Sequence, residues 1–288
     1  MAIQTKRRLS QDSDADTVAL SPWLEKLFPQ TFSGLTTLLK SCGVPCELLP
    51  ETADLWCRDY MPVQLAVDRF VCYTYRPDYL LKKRSDRRFI TDPRRVCNAL
   101  GLQTLQTDFI IDGGNIVKTG SRIIMTEKVF AENPQHSRRK LHQELEKLFE
   151  CEICFIPWDR AEPYGHADGI VKAISDDTVL MTNYTDFDRS FAAKIKRALS
   201  NCFHVETLRY DYDVFDERSW AYINFLTVGN LIVLPRLNTS FDEQALKQIG
   251  DFYPAFRIEQ LDAAQPLAAG GGLNCITWSR RRSYSSSS

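Results

Sequence analysis

Short β-type runs and amphipathic helical stretches follow one another in a recurring order along this chain, and that order limits the folds open to it. Thr178 to Asn183 reads as a strand, Ser190 to Leu199 as a helix and Val205 to Leu208 as a further strand. The same order returns in Asn230 to Pro235, Asp242 to Tyr253 and Phe256 to Leu261. Nearer the N-terminus, helical patterns over Phe32 to Ser41 and Ser137 to Phe149 lead into Val44 to Leu49 and Glu152 to Pro157. These two runs take the final-strand place. Ser137 is placed to cap its helix, and Glu144, Leu145 and Leu148 continue the amphipathic pattern. The units have a strand–strand–helix–strand form. Mixed repeats of ~40 residues imply blades around an axis or a solenoid. No Gly/Ser or Pro-rich linker divides the chain, so a single α/β domain is expected over residues 17–279. Residues 1–16 and 280–288 are expected to be disordered, the latter as a flexible tail.

Composition excludes several classes of function. The 288 residues are 44% hydrophobic and 25% charged, the balance of a soluble globular protein with a large core. A formal net charge of -1 gives no global field toward nucleic acid or anionic membrane, so neither partner is expected. Arg76, Arg84, Arg87, Arg88, Arg94 and Arg95 read as a solvated basic face. The longest apolar runs, such as Phe225 to Leu234, fall short of the ~20 residues that span a bilayer. The stretch from Met1 to Asp16 is polar and carries no signal-peptide pattern. Nine cysteines at irregular spacing read as reduced thiols, which implies a cytoplasmic protein. Self-association into a homo-oligomer is left open.

The chemistry-bearing residues lie in separate motifs beside these strands, which would bring them together at one end of a central channel. Cys275 follows Gly270, Gly271 and Gly272; glycines let the backbone curl tightly and leave the sulfur facing a cavity, as a nucleophile needs. Trp56 and Asp59, flanking Arg58, suit a planar cation through stacking and paired hydrogen bonds, although a core tryptophan and a surface Arg–Asp pair explain the same letters. Asp112-Gly113-Gly114-Asn115 is a site segment or merely a hairpin turn. His166 and Asp168, two apart and framed by glycines, point to one face of an extended segment and suit acid–base work. His136, His142 and His204 sit in unrelated contexts without the i, i+4 spacing of helical metal ligands, and Cys151 and Cys154 read as core, so no metal site is expected. Asn224 within an apolar run is either a satisfied core amide or a residue that orients substrate.

Taken together, Trp56-x-Arg58-Asp59-x-x-Pro62, Gly113-Gly114, Gly165-His166-x-Asp168, Tyr222-x-Asn224-Phe225 and Cys275-Ile276-Thr277 resemble the agmatine deiminase and bacterial peptidylarginine deiminase family of the guanidino-modifying pentein superfamily. The resemblance runs in order from about Val18 to Trp278 and implies a five-bladed ββαβ propeller with its site in the channel. It implies that Asp59 and Asp168 grip a guanidinium beside Trp56, with Arg58 and Asn224 as further substrate contacts. Cys275 would attack the guanidinium carbon, His166 would move protons, and Asp112 would orient His166. It implies a small guanidine substrate, agmatine foremost, with no metal or organic cofactor. Deimination of arginine or peptidylarginine, an amidinotransferase and a non-enzymatic propeller are the competing readings. The chain departs from the family pattern at Asp112, Met61 and Asn274, where many relatives carry Glu, Gly and His, and in having little chain before its first blade.

Overall fold

The computed structural model describes residues 8–211 and 216–282. Among these described residues, fifteen short strands form five sheets of three strands. The first sheet holds Thr17–Leu20 (β1) and Cys46–Leu48 (β2); the second, Val63–Ala66 (β3), Arg69–Thr74 (β4) and Thr104–Ile110 (β5). Val117–Lys118 (β6), Arg122–Thr126 (β7) and Glu152–Ile156 (β8) make the third, and Val171–Ala173 (β9), Thr178–Met181 (β10) and His204–Thr207 (β11) the fourth. Leu226–Val228 (β12), Leu231–Arg236 (β13) and Arg257–Asp262 (β14) make the fifth. Trp278–Arg280 (β15) returns to the first sheet, pairing antiparallel with β1.

Each sheet repeats one connection. A tight turn joins an antiparallel pair, except in the first sheet, where β15 from the other end of the chain supplies the antiparallel partner of β1; a helix then carries the chain to a third strand parallel to the middle one. Parallel pairing demands such a crossover, because the chain must travel back before it can run the same way again. The crossover helices are Pro29–Ser41, Pro93–Ala99, Arg138–Phe149, Arg189–Leu199 and Phe241–Phe252. Their buried residues are spaced three or four apart, as in Leu141, Leu145 and Phe149 or Ala192, Ile195 and Leu199. That spacing forms one stripe on each helix, which covers its sheet. Asp92, Ser137 and Asp188 accept hydrogen bonds from backbone N–H groups in the first turns of their helices.

Middle strands β1, β7 and β13 are buried on both faces over most of their length, which is why Ile123-Ile124-Met125 and Leu231-Ile232-Val233-Leu234 are continuous apolar runs without alternation. The outer strands β2, β5, β11 and β14 are partly exposed. Among the described residues no helix is long and apolar enough to cross a membrane.

Two expectations at the chain ends need correction. Residues 8–16 are packed onto the fold: Leu9 is buried, its N–H donates to Gly120 O at 2.7 Å, and Asp16 N–H donates to Arg280 O at 3.0 Å. The polar letters there are used in specific pairs, which composition does not reveal. Arg280 closes strand β15 where the tail was expected to begin. Three residues are too short to carry a periodic signal. The expectations for residues 1–7 and 283–288 lie outside the described residues. The helix Pro93–Ala99 and the strand pair it joins were not read from the sequence, since seven residues give less than two helical turns of pattern.

Trp278 ties the two chain ends together: it is buried, packs 6.2 Å from the Phe70 ring and donates Nε1–H to Pro62 O at 3.1 Å. Trp278→Ala is expected to cost about 3–5 kcal/mol of folding stability, the usual range for a large aromatic lost from a core. Chemical denaturation measures it; a loss under about 1 kcal/mol would mean that this closing strand contributes little.

Candidate active site

The five sequence motifs occupy one topological position. Trp56 to Asp59 lies between β2 and β3, Asp112 to Asn115 between β5 and β6, and His166 to Gly169 between β8 and β9. Asn224 precedes β12 and Cys275 precedes β15, each after the outer strand of the previous sheet. Every one is thus in the segment that leaves an outer strand and enters the first strand of the next sheet. The repeat that builds the fold also brings these segments to a common cavity of about 620 Å³, walled by Trp56, Asp59, His166, Asp168, Asn224 and Cys275 among others.

Cys275 is buried, and its Sγ–H donates to Asn224 Oδ1 at 3.3 Å. Asn224 is held in turn by an Nδ2–H bond to Asp168 O at 3.2 Å and by accepting Asn274 N–H on its own carbonyl at 3.1 Å. The amide is therefore satisfied, and its oxygen is the hydrogen-bond partner of the sulfur. His166 lies between two carboxylates, with Nε2 3.0 Å from Asp112 Oδ2 and Nδ1 3.6 Å from Asp59 Oδ1. Carboxylates at both ring nitrogens suit the doubly protonated imidazolium. Asp59 Oδ1 also accepts Gly114 N–H at 3.1 Å, and Asp168 Oδ2 accepts Asn274 Nδ2–H at 2.7 Å.

The glycines have a definite purpose here. A Cβ on Gly114 would lie 2.5 Å from His166 Nδ1 and 2.6 Å from Asp59 Oδ1. One on Gly271 would overlap the Trp56 ring, and one on Gly272 would reach within 2.5 Å of Asn224 Oδ1. Backbone bearing only hydrogen is what lets the indole and the amide close around the thiol.

Negative charge dominates the cavity. Its wall contains Asp54, Asp59, Asp159, Glu162 and Asp168, and no Lys or Arg among the described residues. Burial, reinforced by Asp112 and Asp168, pushes Asp59 up to about 7 against the pull of His166. Burial alone would depress His166; the charge of Asp59 and the hydrogen bond and charge of Asp112 overcome it and raise the imidazolium to about 10. Burial, with Asp168 and Asp59 nearby, drives the Cys275 thiol well above its ordinary range. The site thus holds a protonated thiol and a protonated imidazole among its carboxylates.

Two expected residues are placed differently from the rest. Asp112 stands behind His166, outside the cavity wall, where an orienting role requires it; its shorter side chain still reaches the ring. Arg58, expected among the substrate contacts, is turned away from the cavity. Its guanidinium faces Asn274 Oδ1 at 3.2 Å and Asp12 Oδ2 at 3.5 Å, because the carboxylate of the N-terminal segment and the amide draw it to the far side.

Several contributors escaped the sequence reading. Lys128, 1% exposed, donates Nζ–H to Tyr164 O at 2.7 Å and lies 3.1 Å from Asp78, 3.2 Å from Glu132 and 3.7 Å from Asp112 Oδ2. Tyr79 and Tyr164 stack edge to face 5.0 Å apart beside the His166 ring. Nothing in Thr126-Glu127-Lys128-Val129 separates that lysine from a surface one. Lys172 is likewise buried, donating to Phe225 O at 2.9 Å and Asn274 Oδ1 at 3.1 Å.

With this geometry in place, comparison with known proteins is informative. A Mycoplasma capricolum protein that carries the provisional name agmatine deiminase is 27% identical over 222 residues, covering 64% of this chain and 61% of that protein. The chain thus matches about three fifths of the length of that curated relative. The agmatine deiminase of C. jejuni superposes with a TM-score of 0.77 at 16% identity, covering 98% of each chain. That of Enterococcus faecalis gives 0.74 at 16% identity, covering 97% of each. At such identities these structures establish the shared α/β fold. A sequence model of the Porphyromonas-type peptidyl-arginine deiminases matches residues 37–280, and the chain accordingly belongs to that family.

Proposed function

We propose that this protein hydrolyses the guanidinium of agmatine, releasing ammonia and carbamoylputrescine, in the cytoplasm. Its five sheets would stand as the blades of a closed propeller around the cavity, with β15 completing the blade begun by β1 and β2. One observation carries the reading: Cys275, His166, Asp59 and Asp168 surround a cavity whose wall has five carboxylates against the single His166 imidazolium, with no Lys or Arg among the described residues. A dication is the natural occupant. The guanidinium fits between Asp59 and Asp168 beside the Trp56 face, as planar cations prefer. The ammonium at the other end of agmatine would find Asp54, Asp159 or Glu162. Arginine would bring its carboxylate into this acidic wall without a partner. The likeness to the agmatine deiminases described above supports the same substrate.

In this reading the substrate completes the nucleophile. A guanidinium between the two aspartates offsets the charge that holds the Cys275 thiol protonated, so that binding favours loss of the thiol proton to solvent, where it ends on the released ammonia, and leaves the thiolate. Sγ attacks the guanidinium carbon, forming a C–S bond and a tetrahedral adduct. The His166 imidazolium gives its proton to the departing nitrogen, the C–N bond breaks, and ammonia leaves an S-alkylthiouronium. Neutral His166 then takes a proton from water as the oxygen attacks. Collapse breaks the C–S bond, returns the thiol and releases the ureido product. Asp112, Lys128 behind it and Asn224 hold these groups in place.

The first test is turnover. Purified protein should produce ammonia and a ureido product from agmatine, with kcat/KM for arginine lower by roughly 100-fold or more, as like-charge juxtaposition in a buried wall demands. Equal use of arginine would overturn the acidic-wall reading, and product that forms only with an added amine would show an amidinotransferase instead. A second test is Cys275→Ala, which should abolish turnover and leave the circular dichroism spectrum unchanged; unfolding would mark the thiol as structural. The third concerns pH. A cation pairs with the ionised form of Asp59, which titrates at about 7 in the empty site. KM for agmatine should therefore rise as pH falls below that value, by roughly tenfold per unit, and level off above it. A KM that is flat from pH 5 to 8, by order of magnitude, would remove Asp59 from the binding role.

A further inference from the structure

Behind the cavity, on the side away from the thiol, two buried cations approach the aspartate that is to grip the guanidinium. Arg58 and Lys172 do not touch the Asp168 carboxylate directly; the side chain of Asn274 lies between. Its Oδ1 accepts Arg58 Nη2–H at 3.2 Å and Lys172 Nζ–H at 3.1 Å. Its Nδ2 donates to Asp168 Oδ2 at 2.7 Å. The orientation of the amide is thereby fixed, because exchanging its O and N would set two donors against two cations and an acceptor against a carboxylate. Backbone bonds from Asn274 N–H to Asn224 O at 3.1 Å and from Arg58 Nε–H to Asn274 O at 3.4 Å anchor the residue itself. Asn274, Asp168 and Lys172 are all buried.

Resting on the guanidine reading above, we infer that Asn274 is a positioning residue that insulates Asp168 from Arg58 and Lys172. The amide passes on one hydrogen bond and no charge. One carboxylate oxygen is pinned, and the carboxylate as a whole stays unneutralised and available to a substrate cation. The cations are provided for elsewhere: Arg58 faces Asp12 Oδ2 at 3.5 Å, and Lys172 donates to Phe225 O. Without the amide, Asp168 loses its donor while both cations lose an acceptor in a space where unpaired ions are costly. A flexible lysine is then drawn onto the carboxylate. It would compete there with the guanidinium for the same oxygen atoms, so the loss falls on substrate affinity more than on the nucleophile.

The experiment compares two alkylating agents of Cys275, neutral iodoacetamide and the flat cation chloroacetamidine, together with agmatine kinetics. The wild-type protein should react faster with the cation. Asn274→Ala should raise KM for agmatine roughly tenfold or more and slow chloroacetamidine to a similar degree, as loss of a hydrogen bond to a charged group implies. Its iodoacetamide rate should stay within about twofold, because the sulfur is aimed by Asn224. Adding Lys172→Met to Asn274→Ala should recover part of the lost affinity. If the alanine variant does not fold, Asn274→Leu nearly keeps the volume, removes both the donor and the acceptor, and should raise KM by the same route. The inference is overturned if KM and the chloroacetamidine rate are unchanged, if both alkylation rates fall together, or if Lys172→Met recovers nothing. A wild-type protein with no preference for the cation would sink the guanidine reading itself, and this inference with it.

Discussion

Two buried carboxylates beside a buried thiol, with the His166 imidazolium but no Lys or Arg in the cavity wall among the described residues to offset them, is the condition on which the site depends. Ionised groups seldom survive burial unpaired. This protein meets the cost in the empty state by protonation: Asp59 is raised to about 7, the thiol is raised further, and His166 keeps its proton between Asp59 and Asp112. On the proposed function a planar cation would relieve this arrangement, so that the site would select its ligand by charge before shape and the thiol would gain reactivity when the ligand arrives.

The fold makes that concentration of charge affordable by drawing each group from a different segment. Asp59, Asp112, His166 with Asp168, Asn224 and Cys275 come from five connections in equivalent positions of five repeated units. Each connection is fixed at both ends by a strand, so a side chain on it is held by two sheets. Close approach is then obtained by removing side chains: Gly114 against His166 and Asp59, Gly271 against Trp56. A loop that had to reach the centre alone would need order from its own contacts; these connections inherit it.

Much of this was legible in the letters, and the limits have physical causes. Helices such as Arg138–Phe149 and Arg189–Leu199 were visible because a long apolar stripe repeats at helical spacing, and they began within a residue of the expected place. The middle strands were visible as apolar runs. The motifs around Asp59, His166 and Cys275 stood out because glycines and unusual neighbours mark close packing, and the structure brings all of them to one cavity. What stayed hidden depends on partners distant in sequence. Leu9, Asp12 and Arg280 look like terminal polar chain until the strands they meet are known. Arg58 looked like a substrate contact because it neighbours Asp59, yet successive residues of a helical turn point in different directions, and its partners lie behind the cavity. Lys128 carries no local mark of burial; its three acidic neighbours come from two other segments and its own helix.

The departures at Asp112 and Asn274 become intelligible together. An aspartate is one methylene shorter than the glutamate many relatives carry, yet it stands 3.0 Å from His166, and Lys128 backs it at 3.7 Å. The buried lysine lies 3.7 Å from the same Oδ2 that bonds the ring, beyond hydrogen-bond distance, so it offsets the charge without displacing His166. On the other side of the site the same problem has the opposite solution. Asp168 has cations within reach, and a neutral amide keeps them from neutralising it. The distinction follows from what each carboxylate is for. Asp112 serves a protein cation permanently in place, so a second protein cation behind it does no harm. On the proposed function Asp168 would serve a cation that must come and go, and a protein cation in direct contact would occupy the place kept for the substrate.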